Sequence, residues 1–282
     1  MQVTPLHPHI GAEITDIDLA RELDEDTFAG ILAAFNRYSV LAFPDQPIDD
    51  DQQVRFSARF GKLEKTSFAV GANNPYIYQL SNIDDAGKVL PPDSSKRNFL
   101  LVNARWHTDS SFREIPALAS ILSARLIPAK EGGNTEFASM RVGYQTLPQD
   151  RRDQLKGLIG IHHYAYSVGL FGETGVTQKE LDALPPASHP LVRTHPGSGE
   201  PSLYVSGHIR MIEGLPEKEG RELAEELVSW CTREEFVYRH VWRPNEIVMW
   251  DNRCALHRVA HVPLTERRIM HRTTVAGDGP VS

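Results

Sequence analysis

Between residues 28 and 38 the large apolar side chains fall at Phe28, Ile31, Leu32, Phe35 and Tyr38, a helical spacing that gathers them on one stripe and predicts an amphipathic helix. Upstream, residues 11–20 (GAEITDIDLA) alternate well enough for a short strand. Residues 39–43 read as a buried strand. Residues 49–60 read as a second helix, with acidic residues in the first turn and Gly61 just past the end. Further helices are expected over 141–147, 149–158 and 216–233, the last with Leu223, Leu227, Val228 and Cys231 on one face. Three strands follow, at 236–242, 247–250 and 268–276, the first two joined by the turn-like Pro244, Asn245 and Glu246.

Residues 62–98 are long and weakly patterned, with turn signals at 85–87 and 91–95 and one aromatic strand candidate over 76–80, which fits an active-site lid. A Gly- and Pro-rich tract runs through 169–201. No stretch has linker composition, so residues 1–282 are expected to form a single domain. Short strands on both sides of the middle region, decorated by helices, point to a mainly β architecture with a jelly-roll core.

A chain of 282 residues with 40% hydrophobic content can bury a large core, and a net charge of -7 disfavours nucleic acid as a partner. Cys231 and Cys254 belong to no CxxC pair, so neither a disulfide framework nor a thiolate zinc site is indicated and a reducing compartment is the simplest reading. The first ten residues lack the layout of a signal peptide, and no apolar run approaches the roughly 20 residues needed to cross a bilayer. The expected location is the cytoplasm, with no membrane partner and assembly as a homo-oligomer.

Candidate chemistry begins at Trp106-His107-Thr108-Asp109, just after the apolar residues 99–102, in what reads as a strand. Residues i and i+2 of a strand share a face, so the His107 imidazole and Asp109 carboxylate would project together. An HxD triplet alone is common by chance, and a strand His is more often simply packed. The pair gains meaning from His257, in WDNRCALHR at 250–258: two imidazoles and a carboxylate make the facial triad of non-haem Fe(II) oxygenases, with three coordination positions left open. A structural zinc site would be closed by four ligands. Three open positions accommodate a chelating 2-oxo acid and O2, and the far carboxylate of 2-oxoglutarate calls for an arginine fork. Arg268 and Arg272, four apart in a predicted strand with Met270 between them, share a face and suit a pocket wall; a solvated basic edge is the plain alternative.

The strings WHTDSSF (106–112), GGNTEFASMR (132–141), LVRTHPGSG (191–199), WDNRCALHR (250–258) and RRIMHRTTVAGD (267–278) resemble the TauD/TfdA family of taurine and phenoxyacetate dioxygenases. The similarity runs over nearly the whole chain. The resemblance implies a double-stranded β-helix, a cupin-like jelly roll. It also implies an iron(II)- and 2-oxoglutarate-dependent dioxygenase that releases succinate and CO2. Carried over by position, His107, Asp109 and His257 become the iron ligands, and Arg268 with Thr135 the clamp on the distal carboxylate of 2-oxoglutarate. A threonine hydroxyl can donate to the oxygen that the guanidinium leaves free.

The same resemblance sets Asn103 between cofactor and substrate, Trp250 against the cofactor pocket, His208 near the substrate, and Arg272 on the substrate's anionic group. Asn103 could equally cap a turn, and Trp250 could be ordinary core. His162 and His163 would point apart and are not expected to share a metal. His189 and His195, in the Gly- and Pro-rich tract, are expected at the surface. The motifs look closer to the phenoxyacetate branch than to the taurine enzymes, so the expected substrate is a small aryloxyalkanoate-like acid, with a taurine or alkylsulfonate type as the alternative. One departure stands out: where some phenoxyacetate enzymes place a lysine, this chain has Ser67-Phe68-Ala69-Val70, with Lys65 nearby. A metal-dependent hydrolase or a non-catalytic binding protein on the same scaffold would leave Arg268 and Thr135 unexplained.

Overall fold

Residues 40–43 and 247–251 read as unbroken apolar runs because both faces of their strands are covered. The computed structural model describes residues 1–65, 74–129, 132–260 and 265–281. Its strands are β1 (Gln2–Pro5), β2 (Ala12–Thr15), β3 (Val40–Phe43), β4 (Tyr78–Ser81), β5 (Ala119–Leu126), β6 (Thr135–Ser139), β7 (Ile159–His162), β8 (Ala187–Pro190), β9 (Val192–Thr194), β10 (Pro201–Leu203), β11 (Ile209–Ile212), β12 (Val237–His240), β13 (Ile247–Asp251), β14 (Ala255–Val259) and β15 (Ile269–Val275). The helices are α1 (Glu25–Tyr38), α2 (Asp50–Ala58), α3 (Ser95–Val102), α4 (Met140–Thr146), α5 (Gln149–Leu155), α6 (Tyr164–Gly169), α7 (Gln178–Asp182) and α8 (Glu217–Cys231).

Seven strands make the main sheet, in the order β1-β2-β3-β13-β5-β15-β4. Pairing is antiparallel except between β2 and β3. Alternation decides what each face meets. Leu41, Phe43, Ile121 and Met249 point outward into a cluster with Ile31 and Phe35 of α1 and Phe56 of α2. Their neighbours Val40, Ala42, Leu122, Val248 and Trp250 point the other way and meet Phe137 of β6. That inner face looks toward a three-stranded sheet, β12-β6-β14, and the candidate site lies where the two sheets approach each other.

Local signals place the helices. The Asp24 carboxylate accepts from the Thr27 N–H at 2.7 Å and caps α1. Ser39, at φ +62°, ends it. Helix α8 buries Ala224, Leu227 and Cys231. It runs close against α4 because Gly143 carries no side chain there; a Cβ at that position would overlap the Cys231 sulfur. Gly157, at φ +76°, lies beyond the end of α5 at Leu155, so the expected helix over 149–158 is shorter.

Three expectations are corrected. Residues 99–102 belong to α3, whose capping Ser94 hydroxyl accepts from the Arg97 N–H; a four-residue apolar run cannot by itself separate strand from helix. His107 makes only an isolated bridge to His257, and the chain turns away at Ser110, φ +56°, so the triplet does not sit in a strand. His189 and His195 are buried, 2% and 0% exposed, because β8 and β9 draw the Gly- and Pro-rich tract into small sheets. Among the described residues no helix is long and apolar enough to cross a membrane.

Candidate active site

The site is assembled from segments spread along the chain. His107 and His257 face each other across a closed antiparallel pair, with N–H to C=O distances of 3.0 and 2.8 Å. Their rings therefore leave on the same side, 4.2 Å apart between centroids. Asp109 follows two residues later, and its carboxylate meets the Nε2 atoms of His107 at 3.9 Å and His257 at 3.6 Å. All three residues are buried, and their ligand atoms lie within 4.8 Å of one another.

The protonation states follow from the surroundings. Nδ1 of His107 lies 2.7 Å from the Arg105 carbonyl. A carbonyl only accepts, so Nδ1 carries the proton and Nε2 presents a lone pair toward Asp109. Burial pushes both imidazoles below their ordinary value, His257 furthest, with His107 adding to the effect on His257. Burial alone would raise the Asp109 carboxyl, but Arg272, His257 and His107 outweigh it and hold it well below the usual carboxylate range. Arg272 Nη1 donates to Asp109 Oδ1 at 2.8 Å and Ser120 Oγ to Oδ2 at 2.7 Å, while the Asn252 amide nitrogen donates to Ser120 at 3.0 Å. Two neutral imidazoles and an oriented carboxylate are a donor set suited to a divalent first-row metal.

A second buried group, His195, Asp251 and Cys254, has a thiol in place of one imidazole and different chemistry. Arg253 donates to both oxygens of Asp251, at 2.8 and 2.6 Å, and His195 Nε2 lies 2.9 Å from Oδ2. The carboxylate already has its hydrogen-bond donors and its counter-cation. This is a structural knot.

Two cavities flank the triad. The smaller is lined by Thr135, Trp250, His257, Arg268 and Leu122 among others. Arg268 is 8% exposed, and its Nε and Nη2 have no hydrogen-bond partner among the described residues; burial brings its guanidinium down to about 10. Thr135 Oγ1 accepts from the Trp242 indole N–H at 3.1 Å. Trp250 packs its ring 4.6 Å from that of His257 and donates to Asn252 Oδ1 at 3.0 Å, so it belongs to the cavity wall and the core together.

The larger cavity is lined by Tyr78, Phe99, Phe112, Tyr164, His208 and Arg272, with Glu64, Lys65 and Arg113 also on its wall. His208 Nδ1 lies 2.7 Å from Ser167 Oγ, its ring is 5.7 Å from that of His107, and burial pushes it down to about 3. Asn103, Leu80, His107 and Arg272 border both cavities. His107, Asp109, His257, Thr135, Arg268, Trp250, Asn103, Arg272 and His208, the candidates of the sequence, thus all lie at this one site. His162 is held instead by Ser111 Oγ at 2.9 Å, away from the triad. Residues 67–70, where the lysine of some phenoxyacetate enzymes would fall, lie outside the described residues. Ser120, Trp242 and Tyr164 were not anticipated, because nothing in their residue types or spacing links them to Asp109, Thr135 or the cavity wall.

Comparison with known proteins places these features in context. The family description "Taurine catabolism dioxygenase TauD, TfdA family" matches residues 2–274. The chain is 40% identical over 282 residues, 98% of each chain, to an alpha-ketoglutarate-dependent 2,4-dichlorophenoxyacetate dioxygenase of Cupriavidus pinatubonensis. It is 32% identical, over 98% of its length and 95% of the relative's, to an (S)-phenoxypropionate/alpha-ketoglutarate-dioxygenase of Sphingobium herbicidovorans. The crystal structure of AAD-2 in complex with Mn(II) and N-oxalylglycine superposes with a TM-score of 0.91 at 38% identity, covering 100% of both chains.

Proposed function

Since the chain belongs to the TauD/TfdA family of Fe(II)- and 2-oxoglutarate-dependent dioxygenases, we propose that it hydroxylates a small aryloxyalkanoate-like carboxylic acid at a metal held by His107, Asp109 and His257. The observation that carries this reading is Arg268. A guanidinium buried with two nitrogens that lack a partner among the described residues is costly, and the cost is offset when a dianionic 2-oxo acid places its distal carboxylate there. Thr135 supplies a further donor on the same wall. The donor set around Asp109 fits Fe(II), and the bound ion supplies the chelation of the 2-oxo acid and the activation of O2 that give succinate and CO2.

The chain's own residues do the rest. The Arg105 carbonyl keeps the proton of His107 on Nδ1, and Ser120 fixes the rotation of the Asp109 carboxylate. Arg272, on the border of the two cavities, is read as the cation that meets the substrate's acid group, with Lys65 at the cavity wall as a second. Tyr78, Phe99, Phe112 and Tyr164 suit a flat apolar body. Asn103 is read as the polar divider between co-substrate and substrate, Trp250 as the apolar side of the co-substrate cavity, and His208, kept neutral by burial, as a wall of the substrate cavity. The segment 62–98 contributes Tyr78 and Leu80 to those walls, which supports its reading as the side that closes over ligand. The inner face of the main sheet turned toward β12-β6-β14 supports a double-stranded β-helix. The same reading has the enzyme act in the cytoplasm as a homo-oligomer, which light scattering tests.

The decisive experiment is anaerobic loading with Fe(II), then exposure to O2 with 2-oxoglutarate and a panel of phenoxyalkanoic acids, alkylsulfonates and neutral aryl ethers, scoring succinate. Coupled succinate formation with the phenoxyalkanoic acids is the expected outcome. A neutral ether or a sulfonate outperforming every carboxylate would overturn the substrate assignment.

A further inference from the structure

We infer that Trp242 is a positioning residue for the 2-oxo acid: its indole N–H sets the direction of the Thr135 hydroxyl proton and makes Thr135 a donor toward the cavity. The inference rests on the reading of Thr135 and Arg268 as the distal carboxylate site.

A threonine hydroxyl has one proton and two lone pairs, and left to itself it rotates to suit its neighbours. At Thr135 that freedom is removed. Trp242 Nε1 lies 3.1 Å from Oγ1, and an indole nitrogen can only donate. The hydroxyl must therefore accept from Trp242 and send its own proton elsewhere. Among the described residues it has no other hydrogen-bond partner, and the cavity it lines also contains the unpartnered Nε and Nη2 of Arg268.

Three donor atoms without an acceptor among the described residues on one cavity wall favour an acceptor-only group there, a carboxylate over an amide or a hydroxyl. Both residues are buried, Thr135 at 2% and Trp242 at 7% exposure, so water competes little for the bond. The indole is itself held. The His240 ring stands edge-on to it at 4.8 Å, and that imidazole is fixed by Glu246 at 3.0 Å and the Tyr238 hydroxyl at 2.9 Å. β12 thus reaches a ligand it does not touch.

The test is a double-mutant cycle read by calorimetric titration of 2-oxoglutarate into the Mn(II)-loaded protein, where no turnover occurs. Trp242→Phe keeps most of the ring and removes the donor, and Thr135→Val removes the hydroxyl. Each is expected to weaken 2-oxoglutarate binding about tenfold, in the range of outer-layer hydrogen bonds at metal sites. Adding Trp242→Phe to Thr135→Val should cost almost nothing more. Trp242→Phe should also narrow the preference for 2-oxoglutarate over its distal amide. Equal losses in both backgrounds, or unchanged affinity in Trp242→Phe, would overturn the role of Trp242 while leaving the carboxylate site intact. Unchanged affinity in Thr135→Val would instead remove the site reading itself. Should Trp242→Phe fail to fold, the wild-type indole N–H resonance provides the readout in the Zn(II)-loaded protein. Polarisation of the Thr135 hydroxyl predicts a downfield shift on adding 2-oxoglutarate but not its amide, and an unmoved resonance would count against the coupling.

Discussion

Asp109 is asked to do several things with two oxygens. It accepts from Arg272 and Ser120 and faces both imidazoles, so Asp109→Ala removes one of the three proposed ligands and strands a partly buried guanidinium. Calorimetric titration with Mn(II) should show binding weakened by at least about 100-fold, the upper range for ligand-orienting changes, and coupled succinate formation should disappear. Wild-type turnover in the iron-loaded variant would sink the triad. Arg268 makes the opposite trade. Its charge is unpaired in the absence of a ligand, so Arg268→Met should melt at the same or a higher temperature than the unliganded parent. Its requirement for 2-oxoglutarate should nevertheless rise by the equivalent of about 2–5 kcal/mol, the cost of losing one partner of a buried charge pair. A parent that outmelts the variant without ligand would mean that Arg268 already has a structural partner. That both residues would meet at one site was legible in the sequence, because an HxD triplet with a distant histidine and two arginines four apart in a strand leave a mark in residue type and spacing, whereas the burial of Arg268 without a partner among the described residues was not. His189 and His195 were not, since a histidine in a Gly- and Pro-rich tract looks exposed until β7 and β10 pair with that tract.

Helices with one dry face, α1 and α8, were read correctly because their periodicity records which side is covered. β5 was missed. Its sequence, Ala119 to Leu126, places Ser120 and Ser123 among apolar residues, and both serines are buried at 0% and 1% exposure. Ser120 is there for Asp109 rather than for the core, so function disturbed the pattern. The contact of α4 with α8 gives a packing prediction. Gly143→Ala gains about 1 kcal/mol of helix propensity but drives a methyl into Cys231, and overpacking typically costs about 1–3 kcal/mol. Chemical denaturation should show net destabilisation; a stabilised variant would mean the helices slide apart freely. At the end of β13, burial would raise the Asp251 carboxyl, but Arg253 and His195 hold it well below the usual range. A carboxyl depressed by folding contributes stability above its unfolded value, near 4, and loses it as pH falls toward the folded value. Stability of the wild type should therefore drop below about pH 4 more steeply than that of Asp251→Asn. The variant, with Arg253 left unpaired, should be weaker at neutral pH by about 3–5 kcal/mol. Parallel pH profiles would refute the assignment.

Across the whole molecule, the main sheet joins the first strand, the middle of the chain and the last strand, while His257 and Thr135 come from the sheet opposite. Mn(II) and N-oxalylglycine bound between them should act as a bridge. At 100 times the dissociation constant a ligand adds about 2.7 kcal/mol to stability, which for a chain of this size raises the melting temperature by about 5 °C or more. Scanning calorimetry with and without the pair should show that shift in wild type and lose it in Arg268→Met; an equal shift in both would place the ligand elsewhere. The sheet order itself was not legible, because partners such as β3 and β13 lie about two hundred residues apart and carry no mutual signature.

The backbone pair joining His107 to His257 also has a consequence for biosynthesis. During translation, His107 and Asp109 emerge with most of the chain still to be made, and His257 arrives only with β14, followed by Arg268 and Arg272. A nascent polypeptide therefore displays an imidazole and a carboxylate without the strand whose backbone pairs with His107.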